Sequence, residues 1–80
     1  MGTKKMELMQ FFDDCIKETG EDAFYLITVL VKMPDLPELE RITNPRDNWE
    51  TKKAYYDRAY NDDLELKANP VIKIVAWNGV

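Results

Sequence analysis

The sequence predicts one α+β domain over residues 1–80: a two-layer sandwich of order α-β-β-α-β, with two helices on one face of a three-stranded antiparallel sheet of spatial order 2-1-3. Three observations lead there. Apolar residues recur at helical spacing near the N-terminus, a β-branched and aromatic run follows, and a second helical stripe begins after Asn44-Pro45. At 80 residues there is room for one core, and 45% apolar against 32% charged residues is the composition of a folding chain rather than a disordered one.

In the first helix, residues 3–19, Leu8, Met9, Phe11, Phe12, Cys15 and Ile16 fall three and four apart and form one face. Thr3 is suited to cap its start, and Gly20 to end it in a left-handed conformation. Residues 23–31 form the first strand. Both of its faces are apolar, which places it in the centre of the sheet. Pro34 and Pro37 make 33–37 a loop, and the charges of 38–43 suit an edge strand.

Asn44 and Pro45 then read as the cap and first residue of the longest helix. Trp49, Tyr56, Tyr60 and Leu64, at intervals of seven, four and four, give it one buried face, and it should stop before Asn69-Pro70. Residues 71–77 close the sheet as its third strand, leaving 78–80 as a tail.

Composition narrows the chemistry. The chain has no histidine, one cysteine and three separated glycines, which excludes the commonest acid/base group, an internal disulfide and a glycine-rich phosphate loop. Cys15 sits among Phe11, Phe12 and Ile16 and reads as a buried structural thiol. Asp57, Asp62, Asp63 and Glu65 form the densest acidic group, yet they run along the expected helix without a calcium-loop glycine and read as solvated surface. We therefore expect no catalytic residue, no metal ligand and no cofactor.

The formal charge is −4, with nine acids and four bases in residues 1–40 against six acids and seven bases in residues 41–80. Generic attraction to nucleic acid or to an anionic membrane is not expected of such a chain. The longest apolar run is too short to span a bilayer. Gly2 occupies a myristoylation position, but Met6 stands where that motif needs Ser or Thr, and no apolar signal core follows. The expected location is the cytoplasm.

Two surfaces stand out. The first is the second face of the sheet, expected to present Tyr25, Ile27, Val29, Ile72, Ile74 and Trp77 to a partner protein or a second copy, or else the acidic surface of residues 13–22 and 35–40, with Asp13, Asp14 and Glu18. The second is the mixture of Arg46, Lys52, Lys53, Tyr55 and Arg58, which could stack bases and hold phosphates. Trp49, Tyr56 and Tyr60 belong to the inward side of the same helix, which weakens the nucleic-acid reading. A KH-like RNA fold is disfavoured too, because the GXXG clamp is missing.

The C-terminal half carries Ile42-Thr43-Asn44-Pro45, Trp49, Lys52-Lys53, Tyr55-Tyr56, Ala59-Tyr60-Asn61-Asp62-Asp63-Leu64, Leu66-Lys67 and Asn69-Pro70-Val71-Ile72-Lys73-Ile74-Val75. In these residues it resembles small uncharacterised proteins encoded by phages and prophages of Gram-positive bacteria. The resemblance implies a protein made in the cytoplasm of an infected or lysogenic bacterium, from a class without known catalytic residues. It also implies the kind of work such proteins do, which is to occupy surfaces of host replication, restriction or CRISPR components.

Overall fold

The computed structural model describes residues 2–80. The elements are α1 (Lys4–Lys17), β1 (Leu26–Lys32), β2 (Glu40–Pro45), a single 3-10 turn (Arg46–Asn48), α2 (Trp49–Ala59), β3 (Glu65–Leu66) and β4 (Asn69–Gly79). Two helices and an antiparallel sheet are present, with β1 in the interior. The sheet has four strands in the order β2-β1-β4-β3, however, rather than three in the order 2-1-3.

The extra strand comes from the shortened second helix. The α2 helix ends at Ala59, where the Tyr60 N–H makes the last helical bond to the Tyr56 carbonyl. Asn61 then reverses the chain: its side-chain oxygen accepts from the N–H groups of Asp63 and Glu65, both at 2.9 Å, and its amide donates to the Glu65 carboxylate. Leu64 follows at φ 61°, in the left-handed region that a leucine rarely adopts. Its side chain is fully buried and its carbonyl accepts the Ile74 N–H, so packing and the ladder together hold it there. Trp49, Tyr56, Tyr60 and Leu64 are all in the core as expected, although the last two reach it from the turn beyond the helix.

Asn44 and Pro45 differ as well. They are the last residues of β2, paired with Ile27 and Leu26, and α2 starts four residues later behind the 3-10 turn. Asn44 is fully buried and its amide donates to the Ile27 carbonyl at 3.1 Å, so it links strands instead of capping a helix. Residues 78 and 79, expected in a tail, continue β4 opposite Thr28 and Ile27.

Each helix ends against a basic side chain from elsewhere. Thr3 does cap the start of α1, accepting the Met6 N–H at 3.1 Å. Its end does not use Gly20: the helix stops at Lys17, Glu18 is extended, and no glycine has positive φ among the described residues. The Arg46 guanidinium takes over that role by donating to the carbonyls of Cys15 and Glu18, and also to that of Phe24. The same group lies 4.7 Å from the Trp49 ring centre. At the end of α2, Lys5 donates to the carbonyls of Asp57 and Tyr60, both at 3.1 Å. Replacing Arg46 with methionine keeps the stem but removes the donors, and should lower unfolding free energy by about 1–2 kcal/mol. Urea titration followed by circular dichroism measures it; an unchanged midpoint would remove this account of how α1 ends.

The core joins Leu8, Phe12 and Cys15 of α1 to Ile27, Val29 and Val31 of β1, Trp49 and Tyr56 of α2, and Tyr60, Leu64 and Ile74. Burial pushes the Tyr60 hydroxyl up to about 12, with Tyr55, Tyr56 and Glu40 adding to the effect. An unfolded tyrosine ionises near 10, so the folded protein keeps this proton longer than the unfolded chain does. The resulting stabilisation is complete below that pH and is lost between pH 10 and about 12. Denaturation midpoints across this window, compared with Tyr60→Phe, should show a decline in the wild type that the variant lessens.

Candidate functional site

Antiparallel pairing decides which strand residues meet the helices. Ile27, Val29 and Val31 lie opposite Gly79, Trp77 and Ile74, and all three of these β1 residues are buried. The ladder shifts register between Leu30 and Val31, where Val75 is the extra residue on β4. That bulge lets Trp77 and Ile74, three apart, face the same side. Of the six residues expected on a free sheet face, Ile27, Val29 and Ile74 are therefore core, while Ile72 and Trp77 are half-buried against it. Only Tyr25 is open, at 77% exposure. The outer face instead presents Leu30 and Lys32 of β1, next to a buried Thr28, beside Arg41 and Thr43 of β2 and Lys73, Ala76 and Asn78 of β4. It is a mixed polar surface and not the apolar patch that alternation suggested.

The basic set of the second helix is dispersed. Arg46 is committed to the end of α1, and Lys53 bonds to Asp13 across the two helices. Lys52 lies over the Tyr55 ring at 5.4 Å, and Tyr55 leans edge-on against Tyr56 and Tyr60. Lys52, Tyr55 and Arg58 are what remains of the set facing outward.

Of the expected acids, Asp13 is thus half-buried in an ion pair. Asp14 accepts from the Gln10 amide at 2.8 Å and Glu18 accepts the Gly20 N–H at 2.9 Å; both are exposed. Burial raises the Cys15 thiol, Asp14 adds to this and Arg46 opposes it, so the sulfur is held in its protonated, unreactive form. Among the described residues no group of three or more acids or thiols gathers to hold a metal ion.

Two of the hollows along α1 are lined by the acids expected at a binding surface. The larger, of about 510 Å³, lies between the helices over Met9, Ile16 and Ala54, and the Lys53–Asp13 pair stands in its wall. The second, of about 350 Å³, opens beside the last turns of α1 and is lined by Phe11, Asp14, Cys15, Glu18, Asp22 and Phe24. Phe11 and Phe24 stack there with ring centres 6.4 Å apart and planes at 26°. Phe24 lies directly over Gly79, where an added Cβ would sit 2.2 Å from the ring, so that glycine gives the aromatic ring its seat. Tyr25 donates its N–H to the Val80 carbonyl, which brings the exposed Phe24, Tyr25 and Val80 together at this end of the molecule.

This surface joins Asp14, Glu18, Asp22 and Tyr25, which were expected, to Phe11 and Phe24, which were not. The sequence signal for the latter is an aromatic pair followed by no charge, Phe24-Tyr25, placed just after the acidic run Glu21-Asp22. No helix of the structure is long and apolar enough to cross a membrane, among the described residues. Compared with protein-family models, with curated proteins and with solved structures, the chain matches none.

Proposed function

We propose that this chain is a non-catalytic protein-interaction module that binds or inhibits a protein of the host cell. The observation that supports it is the end patch: Phe24, Tyr25 and Val80 are 37%, 77% and 64% exposed, and Asp14, Glu18 and Asp22 stand beside Phe24. Exposed aromatic groups rimmed by charge are the composition of a protein-binding surface. The resemblance of the C-terminal half to small phage-encoded proteins makes a bacterial cytoplasmic protein the class of partner.

Tagged protein used to capture partners from bacterial lysate, beside a Tyr25→Asp variant, tests the reading. The expected result is one reproducible partner on the wild type that the variant loses while keeping its circular dichroism and melting temperature. Light scattering on the same samples reports whether the partner is a second copy. A monomer that retains nothing reproducible, or a partner equally well retained by the variant, would overturn the role assigned to this patch.

A further inference from the structure

We propose that the crevice between the end of α1 and the lead-in to β1 receives an arginine side chain from a basic segment of the partner protein. The inference rests on the interaction-module reading and adds the chemistry of what is bound. The stacked Phe11 and Phe24 rings offer an apolar floor, and the carboxylates of Asp14, Glu18 and Asp22 stand on its rim. Ion pairs among the described residues are Lys5 with Asp57 and Asp62, and Lys53 with Asp13. The three rim acids take part in none of them.

The neighbouring cation, Arg46, is spent on backbone. Its donors go to the carbonyls of Cys15, Glu18 and Phe24, where it closes the helix end; it makes no ion pair with a rim carboxylate among the described residues, and its single positive charge stands against three carboxylates. A guanidinium fits such a setting better than an ammonium. Its flat face lies on an aromatic ring while its edge offers paired N–H donors to carboxylates. A lysine would satisfy the charge but would meet the floor with a point charge and no flat face. Asp14 and Glu18 each already accept one bond from within the chain, which orients them, and Asp22 has both oxygens free of protein donors among the described residues.

The test uses the whole chain, labelled for NMR, titrated at low salt with blocked tetra-arginine, tetralysine and tetracitrulline peptides. We expect saturable amide shifts confined to residues 11–25, binding of the arginine peptide at least about threefold tighter than lysine, and no saturation with citrulline. The double variant Glu18→Gln and Asp22→Asn should weaken arginine binding about tenfold, Phe24→Leu should weaken it severalfold, and Asp63→Asn should leave it unchanged. Shifts spread over all the acidic surface, equal affinity for lysine, or indifference to Phe24→Leu would overturn the crevice as an arginine site. In the capture experiment, a partner lost by Tyr25→Asp but kept by the double variant refutes the crevice and leaves the module reading standing. Specific arginine-peptide binding with no captured partner does the reverse.

Discussion

Replacing Tyr56 with alanine is expected to lower the unfolding free energy by about 3–5 kcal/mol. The ring is 1% exposed and packs against Phe12, Tyr55 and Tyr60, with centres 5.9, 5.4 and 5.8 Å away. Neither Phe12, held on α1, nor Tyr60, fixed by the turn after α2, can follow into the space. The loss is a large share of the stability of a domain this size, on the order of 5–10 kcal/mol. Tyr56→Phe separates packing from polarity. The hydroxyl meets the Asn44 side-chain oxygen at 3.5 Å, a long hydrogen bond, so its removal should cost no more than about 1 kcal/mol. Urea denaturation of both variants decides it, and an alanine variant as stable as the phenylalanine one would mean that this ring does not hold α2 to α1 and the sheet.

How far the sequence could be read depends on whether the information was local. Helix α1 was legible because its apolar spacing and the Thr3 cap lie within one segment. Strand β1 was legible as interior because no charge interrupts residues 23–31. The end of α2 was not. Tyr60 and Leu64 continue the four-residue spacing of Tyr56, and an inward-pointing residue every fourth position is equally satisfied by a helix or by the turn that replaces it. The cue that did exist was turn chemistry, Asn61-Asp62-Asp63, whose first side chain bonds two following N–H groups. Strand β3, two residues long, has no local signal at all and exists because β4 offers it a ladder.

The same distinction explains the surface. Alternation shows that two sets of residues face opposite ways along β1, but it does not say which set meets the helices. Pairing with Ile42, Asn44 and Trp77 says so, and those partners lie far along the chain. The bulge at Val75 then breaks the alternation itself. The aromatic crevice is likewise assembled from the last turns of α1 and the approach to β1, with Gly79 from β4 beneath Phe24. Sequence reading found the acids on its rim because they are clustered in the chain. It missed the floor because Phe11 reads as part of the buried helical stripe.

Asn44→Ala should cost about 2–4 kcal/mol, far more than the loss of a surface asparagine. The side chain is fully buried and serves two groups: its amide donates to the Ile27 carbonyl, and its oxygen accepts from the Tyr56 hydroxyl. Alanine removes the amide's bond to the Ile27 carbonyl and leaves the Tyr56 hydroxyl without its acceptor in a place water does not reach. The bond from the Trp49 indole N–H, 2.7 Å long, survives because it goes to the Asn44 backbone carbonyl. Asn44→Asp gives a sharper test. An ionised aspartate would put a negative oxygen against the Ile27 carbonyl in a buried site, whereas its protonated form can donate there as the amide does. The folded variant should therefore hold this proton above the ordinary aspartate range, and its deficit relative to wild type should shrink as pH falls through that raised pKa. A deficit independent of pH would mean that the Asn44 side chain is solvated, and that the link from β2 to β1 is made by the backbone ladder alone.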